Sequence, residues 1–250
     1  SDTKRITDTP QQERSVSFSP DGRSLLYAAE RNGSWNLYQT KLIRDEDTHF
    51  FNALKIKEEP LLETSAETFQ PLYSPDGKEV AFLEERTQLR VLNLKSGKVR
   101  NILDKKYNYS YSDGDQWYRW SPDGKWFLAK YSPHHFVHDE VALLAADGSK
   151  GPLNLSKSGY SEAMPVWQDN GKVILWFSDR EGYRSHGSWG AQMDAYATFL
   201  TSEAYDIFKM DKAEYASWKE KQKKEKKKED DKEDEKEKVL KLTDPVAMDL

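Results

Sequence analysis

The chain has no cysteine in its 250 residues, which excludes disulfides and thiolate metal sites. That absence suits an exported bacterial protein and a cytosolic one equally. No apolar run approaches membrane-spanning length, and no secretory leader pattern stands at the start. Ser1 in place of Met points to a processed or cut beginning. Basic residues are not in excess, since 38 Lys and Arg against 43 Asp and Glu leave a formal net charge of −5. Nothing global therefore directs the chain to nucleic acid. A phosphate-binding glycine loop, a dinucleotide fingerprint and a G-x-S-x-G elbow are all missing.

What is present is aromatic. Mean hydropathy is low at −0.92, yet 12% of residues are aromatic and eight are Trp. Disordered chains are poor in aromatics, so most of this one is expected to fold. One stretch organises it. Phe18-Ser19-Pro20-Asp21-Gly22 returns as Tyr73-Ser74-Pro75-Asp76-Gly77, as Trp120-Ser121-Pro122-Asp123-Gly124, and in weaker form as Trp167-Gln168-Asp169-Asn170-Gly171. Pro presets the second position of a type I turn, Asp suits the third, and Gly accepts the left-handed conformation that closes a bulged hairpin. Near-regular recurrence marks a repeat architecture.

Each repeat reads as four antiparallel strands. In the first these are 15–18, 23–29 (apolar on both faces), 35–40 and 60–62. The second has 71–73, 79–84, 89–93 and 99–103. The third has 116–120, 125–131, 140–144 and 153–155, and the fourth has 164–167, 172–178, 194–200 and 239–243. Such units are blades of a β-propeller, with expected bounds of about 9–63, 64–104, 105–157 and 158–244. Arg5-Ile6-Thr7-Asp8 resembles Lys241-Leu242-Thr243-Asp244, and Asn154-Leu155-Ser156 occupies the same phase. Residues 4–8 thus read as a fifth outermost strand. The expected fold is all-β, about four four-stranded blades of a longer, six- or seven-bladed ring. The exposed edge of such a piece is open to pairing with another chain, which makes a homo-oligomer one expected partner state.

An insertion at 201–238 interrupts the fourth blade. Ala204, Ile207 and Phe208, then Tyr215 and Trp218, have helical spacing, with Thr201 or Ser202 as N-cap. Asp211 with Glu214 makes a capping box for a second helix. Residues 219–238 hold ten Lys and nine acidic residues, basic first and acidic last, the reverse of what a helix dipole favours. A solvated helical excursion is the plainer reading; an electrostatic docking arm is the other.

Candidate chemistry is sparse. His134, His135 and His138 with Asp139 and Glu140 are the only dense group of metal-ligating types. Their spacing does not set the rings on one face, so a surface loop is expected and no metal is assigned. Ser185 and His186 are adjacent, and neighbouring side chains seldom face each other, so no catalytic residue is assigned. Arg184, Ser185, His186 and Trp189 are instead expected in a glycine-rich rim or binding loop. Tyr109 and Tyr111 lie in a polar, aromatic loop able to hold a peptide or sugar. The turn aspartates are turn formers rather than calcium ligands. No cofactor is expected.

The aromatic-Ser-Pro-Asp-Gly hairpins, with downstream Asn/Asp-aliphatic-Tyr strands, resemble the TolB-like propeller repeat. The fourth blade is narrower in its likeness. Trp176-Phe177-Ser178-Asp179-Arg180, the run from Arg184 to Gly190, Asp194-Ala195-Tyr196 and the charged insertion resemble the N-terminal propeller of bacterial tricorn-like serine peptidases. That resemblance implies a periplasmic or otherwise exported parent enzyme with propellers, a PDZ module and a C-terminal serine peptidase domain. The propeller would guide peptide substrates through its central channel and support domain assembly. This chain holds no catalytic set to inherit. The rival readings are a TolB-type interaction platform without enzymatic activity, and the propeller of another hydrolase, such as a prolyl-oligopeptidase relative or an amidohydrolase.

Overall fold

The computed structural model describes residues 3–110, 116–133, 138–183 and 191–242, with Lys226 and 229–242 as backbone only. Two compact units result, divided between Leu200 and Thr201.

The first unit is four antiparallel sheets in chain order. The first joins β1 (Glu13–Phe18), β2 (Ser24–Arg31), β3 (Ser34–Leu42) and β4 (Ile56–Leu62). The second joins β5 (Thr68–Tyr73), β6 (Glu79–Glu84), β7 (Gln88–Asn93) and β8 (Val99–Leu103). The third joins β9 (Tyr118–Trp120), β10 (Trp126–Tyr131), β11 (Glu140–Ala145) and β12 (Leu153–Asn154). The fourth has three strands, β13 (Glu162–Gln168), β14 (Val173–Ser178) and β15 (Asp194–Phe199).

The recurring hairpin is built from local bonds. Gly22 N–H donates to Ser19 O at 2.9 Å, with Gly22 at φ 70°. Asp21 Oδ1 accepts from Ser19 Oγ at 2.5 Å and from Arg23 N at 3.0 Å. The same set forms at Ser74 and Asp76, and at Ser121 and Asp123. In the fourth repeat, which lacks the Pro, Asp169 and Asn170 take φ 46° and 49° instead. The hairpins also stack. A Cβ built on Gly77, Gly124 or Gly171 would lie 3.4, 3.6 or 3.3 Å from the ring of Pro20, Pro75 or Pro122, the proline of the preceding hairpin.

Those bonds hold the charged form of each aspartate. The serine hydroxyl first, then the backbone N–H two residues on, lower the Asp21, Asp76 and Asp123 pKa values below the ordinary 3.8. A depressed folded-state pKa contributes stability above the unfolded value, and that contribution is lost as pH falls through the folded value. Acid unfolding should therefore set in below about pH 4. Asp76→Asn should flatten the pH dependence of the urea midpoint there, and an unchanged slope would contradict this account.

The second strands of the first three sheets are buried on both faces, while β14 leaves Leu175 and Phe177 exposed on one face. In β2, Leu26 and Ala28 pack towards the second sheet with Val80 and Phe82. Leu25, Tyr27 and Ala29 instead face Phe50, Ala53 and Ile6. In β10, Phe127 and Ala129 join the cluster with the second sheet, while Leu128 joins the one with Ile174 and Trp176 of β14. Sheet thus packs on sheet in sequence order.

Two sequence expectations need correction. Residues 4–8 form no strand. Arg5 curls the segment by donating to Thr7 O at 2.7 Å and Thr9 O at 3.4 Å, and Ile6 packs on the outer face of the first sheet. Residues 239–242, expected in a fourth strand with Thr243, instead end a helix, and Thr243 lies outside the described residues. A run dominated by Lys and Glu, with no Gly or Pro, carries the helix on.

The second unit contains two helices. In α1 (Ser202–Lys209), Thr201 caps the start by accepting from Ala204 N at 3.2 Å. In α2 (Lys212–Leu242), Asp211 Oδ1 accepts from Ala213 N and Glu214 N, and Glu214 Oε2 accepts from Asp211 N at 2.9 Å. Both caps follow the sequence reading. Tyr215 stacks on Trp218 with ring centroids 5.6 Å apart.

Candidate functional site

The innermost strands β1, β5 and β13 bend at one shared place, whereas β9 pairs with β10 in unbroken register. Ser15, Gln70 and Met164 each sit three residues before the hairpin aromatic at φ 56°, 48° and 48°. The strand pairing slips at each of these residues, as in a β-bulge. Trp117 holds the equivalent place before β9. These bends turn side chains of one blade onto the backbone of the next. Ser17 Oγ donates to Pro71 O at 3.1 Å, Gln70 Nε2 to Gln116 O at 2.9 Å, and Trp117 Nε1 to Pro165 O at 2.8 Å. The Tyr118 hydroxyl donates to Gln70 O, and Trp120 Nε1 to Leu72 O at 3.3 Å. Burial pushes the Tyr118 phenol well above its ordinary pKa, so it stays a donor.

Between these strands lies a cavity of about 210 Å³, lined by Ser15 and Val16 of β1, Gln70 to Leu72 of β5, and Tyr118 and Arg119 of β9. Arg119 supplies its charge. The guanidinium lies 4.1 Å over the Trp117 ring, and Nη1 donates to Tyr118 O at 2.8 Å. Desolvation by the surrounding strands lowers its pKa from the ordinary 12.5, while one side of the residue stays open to solvent. Among the described residues no carboxylate pairs with it. The site is therefore a cationic, aromatic-backed mouth with carbonyl and amide groups around it.

Of the residues expected at a rim, Arg184, Ser185, His186, Trp189 and Tyr111 lie outside the described residues. Tyr109 is exposed, and its carbonyl accepts from Gln116 Nε2; Gln116 O in turn accepts from Gln70 Nε2. That chain links the aromatic loop to the cavity through Gln116. Arg119 was not among the expected residues. Its signal was available, because Trp117 and Arg119 are two apart in an extended segment and so share a face.

His134 and His135 of the histidine group also lie outside the described residues. The described members are engaged by protein. His138 Nδ1 lies 2.9 Å from Gly159 O, and Asp139 pairs with Lys130 at 2.9 Å and accepts from Ser132 Oγ at 2.6 Å. Glu140 accepts from Gly159 N at 2.7 Å and Ser158 N at 3.1 Å, and from Ser156 Oγ.

No protein-family model and no curated protein matches this chain. Solved structures do. An oligogalacturonate lyase from Vibrio parahaemolyticus aligns at 14% identity over 78% of this chain and 54% of its own, with a TM-score of 0.54. The tricorn protease aligns at 12% identity over 76% of this chain and 18% of its own, with a TM-score of 0.52. The fold is a partial β-propeller. TolB from Acinetobacter baumannii also aligns, at 21% identity over 67% of this chain, with a TM-score of 0.41. This propeller segment spans 38% of that TolB chain, and little more than half of the lyase. No helix among the described residues is long and apolar enough to cross a membrane.

Proposed function

We propose that this propeller is a non-catalytic segment of a periplasmic or otherwise exported tricorn-like serine peptidase, guiding peptide substrates through its axial channel and supporting assembly with the PDZ and peptidase domains. The family part of this reading rests on the fourth-blade residues quoted above. The channel part rests on one observation, the Arg119 guanidinium held over Trp117 where the inner strands converge. A stacked cation with four N–H groups left for a visitor, ringed by backbone carbonyls, suits an extended peptide that carries both acceptors and donors. The blade bounds of about 9–63, 64–104, 105–157 and 158–244, with 201–238 inserted in the last, belong to the same proposal.

Calorimetric titration with unstructured peptides measures the binding. Arg119→Ala should weaken peptide binding about tenfold, the equivalent of ~1.4 kcal/mol. Binding unaffected by that change would remove the channel from the account. Turnover of the peptides by this chain would overturn its non-catalytic role.

A further inference from the structure

We propose that α2 pairs antiparallel with α2 of a second copy of this chain, about a two-fold axis between Lys228 and Glu229. Residues 219–228 carry seven Lys and two Glu, a net charge of +5; residues 229–238 carry three Lys and seven acidic residues, a net charge of −4. Both blocks belong to one helix, Lys212–Leu242. A helix alone is poorly served by this order, since its dipole favours acidic residues first and basic residues last. An antiparallel copy reverses the disadvantage, because each acidic block then lies beside its partner's N-terminal half.

The complementarity is finer than two blocks. With the axis between Lys228 and Glu229, Lys226, Lys227 and Lys228 fall opposite Asp231, Asp230 and Glu229. Lys223 and Lys224 fall opposite Asp234 and Glu233. Glu225 is the one acid inside this basic stretch, and it falls opposite Lys232, the one base inside the acidic stretch. Six consecutive positions are thus matched in sign, each twice by symmetry. The match is confined to 223–234, for residues 219–221 meet like charges at 236–238.

Apolar residues flank the charges in the same register. Trp218 falls opposite Val239, and Tyr215 opposite Leu242. Trp218 and Val239 are 21 residues apart, three heptads, so they return to one side of a helix wound at about 3.5 residues per turn. A foreign acidic or basic partner would satisfy one block and repel the other. A copy of the same helix answers both across 223–234.

The lack of cysteine makes the test clean. Sedimentation of the whole chain should show a dimer at about 0.05 M salt whose Kd rises about tenfold or more at about 0.5 M, where the screening length is much shorter. Glu225→Lys should weaken the dimer several-fold, and adding Lys232→Glu to it should restore the original Kd. On oxidation, Lys228→Cys should give a disulfide-linked dimer. Lys219→Cys should not, because nine residues from the axis its mate lies about 28 Å away along the helices. A monomer at both salts, a double variant no tighter than Glu225→Lys alone, or efficient cross-linking through position 219 would each overturn the proposal. So would a dimer that survives deletion of 219–238.

Discussion

Phe127→Ala is expected to cost about 3–5 kcal/mol, a large part of the ~5–15 kcal/mol that holds a domain together. The side chain is fully buried on β10, with its ring centroid 4.1 Å from that of Trp120 and 6.1 Å from that of Tyr118. It fills the junction between the second and third blades, in one cluster with Phe69, Leu83 and Val91. Its loss removes the filler on which two inner-strand aromatics rest, and with them the donors to Leu72 O and Gln70 O that tie blade to blade. Phe127→Leu, which keeps most of the volume, should cost less than half as much. Urea unfolding followed by Trp emission measures both. A loss under about 1 kcal/mol for the alanine variant would mean that adjacent blades are not one cooperative unit.

Glu162→Ala carries the second large expectation, about 3–5 kcal/mol. The Glu162 side chain is wholly buried, and Oε1 accepts from Arg180 at 3.0 Å, from Ser178 Oγ at 3.0 Å and from Ser158 Oγ. Arg180 also lies 4.4 Å over the Tyr196 ring. Removing the carboxylate takes the charge partner from Arg180, which keeps Ser178 Oγ and the Tyr196 ring, and takes the acceptor from two serine hydroxyls. Oε2 has no hydrogen-bond partner among the described residues, so the group already bears part of its desolvation cost. The first blade supplies an internal control. Glu13 pairs with Arg31 at 2.7 Å, and Arg31 lies 5.4 Å over Tyr38, the same three roles at the same relative places. Glu13 keeps a fifth of its side chain in water and Arg31 also pairs with Glu58 at 2.8 Å, so Glu13→Ala should cost only about 1 kcal/mol. Equal losses at the two positions would show that burial does not govern the pair.

The sequence match between Asn36-Leu37-Tyr38 and Asp194-Ala195-Tyr196 was legible as a shared third strand. That its tyrosine serves as the platform for a buried cation was not. A strand reveals itself through nearest neighbours and alternation, whereas the Glu–Arg–Tyr group joins three strands. Arg119 shows the same limit. Its face could be read from Trp117, but its position at a cavity depends on where β1 and β5 lie. Tyr109 was legible as part of a polar, aromatic loop, whereas its link to the cavity runs through the non-local bond between Gln116 and Gln70.

Some features were written into the chain itself. Pro fixes one backbone angle, Gly permits another, Ser and Asp bond within four residues, and Thr201, Asp211 and Glu214 cap their own helices. Interactions that close over so few residues need no help from the rest of the molecule. Tertiary packing decided the remainder. It laid each proline against the next hairpin's glycine, laid Ile6 on the first sheet and brought Arg119 to a cavity shared with β1 and β5, because such contacts form only when distant segments have already been placed.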